Sequence, residues 1–74
     1  MSTRRLLREI KKGVSELGGE VLEARPDRGH LHFLINHDGI RQHLVAASTP
    51  AVPEHTVRNA LEDVKRFRRA HGLT

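Results

Sequence analysis

Two runs of alternating polar and apolar residues, separated by an Asp-Gly dipeptide, constrain this chain more than anything else in it. Residues 30–36 (HLHFLIN) and 40–46 (IRQHLVA) alternate along their length, which is the period of a strand with one face buried. A two-residue type I′ turn needs φ > 0 at both central positions, and Asp38-Gly39 meets that demand at small steric cost. With Asp38 and Gly39 in those positions, His37 faces Ile40, Ile35 faces Gln42, Phe33 faces Leu44 and Leu31 faces Ala46. This register sorts Leu31, Phe33, Ile35, Leu44 and Ala46 onto one face. It sorts His30, His32, Leu34, Asn36, Arg41, His43 and Val45 onto the other. A slip of one residue would mix the two sets.

The segments on either side of this hairpin carry helical spacing. Leu6, Leu7, Ile10, Val14 and Leu17 recur on one side of a helix capped by Ser2 or Thr3. Gly18-Gly19 stops it, one glycine taking the left-handed conformation beyond the last turn. Arg4, Arg8, Lys11 and Ser15 fall on the opposite side, and Gly13 weakens the helix while permitting close approach to the sheet. Residues 20–25 (EVLEAR) read as a third strand at an edge, ending in the turn cluster Pro26-Asp27-Arg28-Gly29. Residues 47–53 hold two prolines and form a connector, with Pro53 suited to the first turn of a second helix. That helix sets Val57, Ala60, Leu61, Val64 and Phe67 on one face and runs to about Ala70, before Gly72. Arg58, Lys65 and Arg69 line its flank, and Arg68, at the edge of the apolar face, is expected to snorkel to solvent.

The predicted fold is therefore α+β, in the order α-β-β-β-α. A single domain spans residues 1–74, with both helices on one face of a three-stranded antiparallel sheet. The other sheet face is left to solvent or to a partner.

Composition narrows the functional classes. The chain has no Cys, Trp or Tyr and only two Phe. A disulfide framework and thiolate chemistry are excluded, and no aromatic platform exists on which single-stranded bases would stack. No N-terminal apolar segment resembles a signal peptide and no run is long enough to span a membrane, so a cytoplasmic protein is expected. Thirteen Lys and Arg against nine acids give a net charge of +4, a balance that favours polyanions, nucleic acid first.

Six histidines are the remaining reactive groups. His30, His32 and His43 share the open sheet face, where they suit catalysis, RNA contact or ordinary half-exposed strand positions. Zinc wants three or four ligands, and no nearby carboxylate obviously joins these histidines, so neither a metal site nor any other cofactor is expected. His37, His55 and His71 read as turn, helix-start and helix-end residues. His32, Leu34, His43 and Val45, together with unpaired strand edges, also fit a homodimer or a protein partner.

In its element order and in short motifs the chain resembles the HicA toxin family and its double-stranded-RNA-binding-like relatives. The motif residues are Arg28-Gly29-His30, where HicA proteins carry Gly-Ser-His, the turn Asp38-Gly39, and His55-Thr56-Val57-Arg58, similar to the Gly-Thr-Leu-Arg that opens their last helix. Thr49-Pro50, Arg58-Asn59-Ala60 and Asp63-Val64-Lys65-Arg66 are also similar to small phage-encoded proteins of that fold. The resemblance implies RNA as partner and makes His30 the counterpart of the histidine implied in metal-independent RNA cleavage. Arg28 and Arg41 would then stabilise phosphorane charge. The serine between glycine and histidine is missing here, and the cations of the last helix gather at its end rather than its start.

Three functions are consistent with this reading. Nucleic-acid binding, RNA before DNA, would use Arg4, Arg8, Lys11, Arg28, Arg41, Arg58, Lys65 and Arg69. A ribonuclease would use His30, and a protein-interaction module would act through the open sheet face.

Overall fold

A computed structural model of the chain describes residues 3–48 and 52–73. The cap candidate Ser2, the middle of the connector with Thr49 and Pro50, and the chain ends lie outside the described residues. The elements are α1 (Thr3–Glu16), β1 (Glu20–Asp27), β2 (His30–His37), β3 (Ile40–Ala47) and α2 (Pro53–Ala70), the α-β-β-β-α order expected. The strands form one antiparallel sheet in the order β1-β2-β3, leaving β1 and β3 at the edges.

The β2–β3 register is the one the Asp-Gly turn dictates. His37 pairs with Ile40, Ile35 with Gln42, Phe33 with Leu44 and Leu31 with Ala46. Asp38 and Gly39 both have positive φ, at 52° and 90°, and the Gly39 N–H donates to Asn36 Oδ1 across 3.1 Å. The β1–β2 connection is tighter than the cluster around Pro26 suggests. β1 runs on through Pro26 and Asp27, which pair with Leu31 and His30. Only Arg28 and Gly29 form the turn, again with positive φ at both positions. A proline is tolerated there because β1 is an edge strand whose missing donor costs no ladder bond. A register shift between Val21 and Glu23 makes Leu22 the extra residue of a bulge.

One buried cluster joins the elements. Leu6, Ile10 and Val14 of α1 and Ala60 and Val64 of α2 meet Leu31, Phe33, Ile35, Leu44 and Ala46 of the sheet. Burying each of the larger aliphatic or aromatic side chains contributes roughly 1.5–3 kcal/mol. Each helix ends in a glycine-terminated motif. Gly19 N–H bonds back to Val14 C=O and Leu73 N–H to Arg68 C=O, with Gly18 and Gly72 in the left-handed region between. Pro53 occupies the first turn of α2.

Gly13 serves a different contact from the one expected. A Cβ at that position would collide with the side chain of Leu61, so the close approach is between α1 and α2 rather than between α1 and the sheet. Gly13 meets Leu61, and Gly18 meets Arg68. Later residues of α1 meet later residues of α2, so the two helices run in the same general direction.

The turn at Asp38-Gly39 carries a direct prediction. Gly39→Ala puts a Cβ into the left-handed region and should lower stability by roughly 1–2 kcal/mol, whereas Asp38→Gly should cost much less. Urea denaturation of the two variants measures the difference. Equal stabilities would contradict the turn assignment.

Candidate functional site

The register decides which side chains share the open face of the sheet. Residues directly opposite one another in an antiparallel pair lie on the same face. β2 contributes His30, His32, Leu34 and Asn36, and β3 contributes Ala47, Val45, His43 and Arg41 opposite them. β1 adds Asp27, Arg25, Glu23 and Glu20. The sequence reading missed this third row because β1 alternates poorly, and its Leu22 bulge breaks the period.

On this face His32 and His43 lie together. His32 Nδ1 is 3.1 Å from His43 Nε2, the rings stack with centroids 5.3 Å apart, and the second nitrogen of His32 lies 3.8 Å from Asp27 Oδ2. A hydrogen bond between the rings requires a proton on one nitrogen and a lone pair on the other. Asp27 reaches the pair from the far side of His32, so it orients that ring rather than sharing a centre with both histidines. Among the described residues no three His, Asp or Glu side chains are grouped to hold a metal ion. Arg25 forms an ion pair with Glu23 at 3.2 Å. Leu34 is half-buried and Val45 is 47% exposed.

His30 is exposed and follows directly on the Arg28-Gly29 turn. Its supposed cationic neighbours are divided. Arg28 is two residues away, but Arg41 pairs with Asn36 at the opposite end of β2. That row is six residue steps along β2 from His30, about 20 Å at 3.3–3.4 Å per residue. Arg41 therefore does not assist chemistry at His30.

The helices present most of the remaining candidates. Arg4, Arg8 and Lys11 are exposed on α1, and Arg58, Lys65 and Arg69 on α2. Lys65 lies 3.3 Å from Glu62, and the neighbouring Arg66 lies 3.1 Å from Asp63. Both are surface pairs worth little individually. Lys65 and Arg69 border the same cleft as Leu17, which puts their stripe on the α1 side of α2.

Two side chains depart from their sequence assignments. His37, expected in a turn, is fully buried, and Arg68, expected to snorkel, is 8% exposed. Arg68 Nη1 lies 3.1 Å from His37 Nδ1. His37 Nε2 lies 2.9 Å from Gln42 Oε1, and Gln42 Nε2 donates to the Asp63 carbonyl at 3.5 Å. Arginine has no acceptor and a carbonyl has no donor, so the chain of bonds has one direction. Arg68 donates to Nδ1, the imidazole proton sits on Nε2, and that N–H donates to Gln42. Phe67 covers the imidazole with ring centroids 5.0 Å apart. The parity of the ladder held the available signal, since His37 and Gln42 alternate with Ile35 and Leu44 on the core side.

No protein-family model matches the chain, and none of the curated proteins or solved structures compared with it gives a significant match. Among the described residues no helix is long and apolar enough to cross a membrane.

The buried chain and the exposed pair should answer differently to mutation. His37→Leu leaves Arg68 without its partner and should cost about 1–3 kcal/mol. Adding Arg68→Met should recover much of that loss, because an apolar pair replaces a stranded charge. His32→Ala and His43→Ala should each stay within about 0.5 kcal/mol of wild type. A denaturation cycle over His37 and Arg68 measures the coupling, and an additive result would contradict the network.

Proposed function

We propose that this protein binds nucleic acid, RNA in preference to DNA, through the outer faces of α1 and α2. The observation that carries the reading is the segregation of charge. Arg4, Arg8 and Lys11 on α1 and Arg58 and Arg69 on α2 are exposed and enter no ion pair among the described residues. The open sheet face, by contrast, brings Glu20, Glu23 and Asp27 beside its histidines. On that face three acids offset Arg25 and Arg41, so a polyanion finds little attraction there, whereas the outer helix faces attract it. The shared direction of α1 and α2 supports a continuous cationic surface, and duplex RNA is a ligand recognised by shape and phosphate contact without base stacking. The α-β-β-β-α order adds to the preference for RNA.

On this reading Arg41 lies outside the interface, on the sheet face, and Arg28 is at most a peripheral contact at the β1–β2 turn. The ribonuclease alternative loses Arg41 as a partner of His30 and keeps Arg28, at the adjoining turn.

Binding of double-stranded RNA, single-stranded RNA and duplex DNA at two salt concentrations tests the proposal. Affinity for duplex RNA should fall steeply with salt, by counterion release. The variant Arg58→Ala/Lys65→Ala/Arg69→Ala should lose affinity and flatten the salt slope by roughly one unit per lost phosphate contact. Absence of binding at low salt would refute the proposal. RNA loss abolished by His30→Ala would replace it with the ribonuclease reading.

A further inference from the structure

Arg68 is a buried cation that lacks a counter-charge among the described residues. Its Nη1 donates to the unprotonated nitrogen of His37, and it enters none of the ion pairs of the described residues. A guanidinium carries five N–H donors, and the bond to His37 satisfies only one of them. Among the described residues no fully buried side-chain nitrogen or oxygen lacks a partner, so the remaining Arg68 donors, on a residue only 8% exposed, are not wholly sealed from solvent. Arg68 also lines a cleft of about 200 Å³, together with Leu17, Lys65, Arg69 and Leu73.

The chain is shaped around this guanidinium. A Cβ on Gly18 would lie 3.0 Å from Arg68 Nη2, and the residue sits at φ +94°. The carbonyl end of α1 offsets part of the charge, on the order of half an elementary unit. With Lys65 and Arg69 at the rim, the cavity still holds a surplus of positive charge. Leu17 and Leu73 form apolar walls that strengthen electrostatic attraction by excluding water. Among the described residues the one acid in an ion pair with a lining cation is Glu62, whose surface pair with Lys65 spans 3.3 Å and is weak enough for a dianion to displace.

We infer that this cavity binds a phosphate group, with Arg68 as the donor at its floor and Lys65 and Arg69 closing over the oxygens. Guanidinium donors match phosphate oxygens in geometry as well as charge. Orthophosphate and the 5′-phosphorylated end of an oligonucleotide offer the same chemistry. The site shares Lys65 and Arg69 with the proposed nucleic-acid surface but does not rest on that proposal, because orthophosphate alone probes it.

Calorimetric titration of the full chain with sodium phosphate, against sodium chloride at equal ionic strength, is the test. Wild type and the variant Arg25→Ala/Arg41→Ala, which removes two cations from the sheet face, should show saturable phosphate binding. Lys65→Ala/Arg69→Ala, whose changes are at exposed positions, should weaken it by about tenfold or more. The Arg68 Nε–H resonance should shift on phosphate addition in wild type. A tighter complex with a 5′-phosphorylated than with a 5′-hydroxyl oligonucleotide of the same sequence would make the nucleic-acid end the source. Equal affinity for both ends, with orthophosphate still bound, would make it the free anion. No saturable heat above the chloride control, or equal losses in the two double variants, would overturn the inference.

Discussion

The two-residue turn at Asp38-Gly39 fixes the parity of the β2–β3 ladder, and parity decides which side chains become core. With His37 opposite Ile40, every second residue from Leu31 to His37 points toward the helices, and so do Gln42, Leu44 and Ala46. The helices then have one surface to cover, and their apolar stripes at Leu6, Ile10 and Val14 and at Ala60 and Val64 complete the same cluster. Shifting the ladder by one residue would bury His32, Leu34 and His43 while exposing Phe33 and Ile35, which no helix placement repairs.

The same parity brings two polar side chains indoors. His37 and Gln42 cannot leave the core face without breaking the register, so the fold supplies them with partners. Arg68 donates to one side of the imidazole, Gln42 accepts on the other, and the Asp63 carbonyl receives the amide. Removing one member strands the others in a low-dielectric interior, where unmade bonds are expensive. The network also ties the end of α2 to the base of the β2–β3 turn, and Gly18 and Gly19 of the α1 terminus pack against Arg68 and His37. Three elements are thus registered by one set of directional bonds, a kind of specificity that apolar packing alone gives less sharply.

Much of this was legible in the sequence because local rules agreed. The Asp-Gly turn gave the register, helical spacing gave both apolar stripes, Pro53 gave the start of α2, and the double glycine gave the end of α1. The third strand was read two residues short because Pro26 looks like a terminator, and only its place at an edge makes it acceptable. Arg68 misled for the opposite reason. A cation at the margin of an apolar stripe ordinarily snorkels, and its burial follows from a histidine thirty-one residues earlier in the chain, a non-local fact. Gly13 was recognised as permitting close approach, but whether a helix or the sheet approaches depends on tertiary packing. The stripes at Arg4, Arg8 and Lys11 and at Arg58, Lys65 and Arg69 were visible as exposed faces. The β1 row that sets Glu20, Glu23, Arg25 and Asp27 on the sheet face was hidden by the bulge at Leu22.

These charges give the molecule two unlike sides: paired helices with cations turned outward, and a sheet whose histidines stand among carboxylates. The proposed interface depends on that asymmetry more than on any one residue. The most direct test is an NMR titration of the labelled chain with a short RNA duplex, following every backbone amide. The account predicts shifts concentrated along α1 and α2, at Arg4, Arg8, Lys11, Arg58, Lys65 and Arg69, with His32, Leu34, His43 and Val45 unmoved. Shifts centred on those four sheet residues, with the helices silent, would contradict it and turn the molecule around.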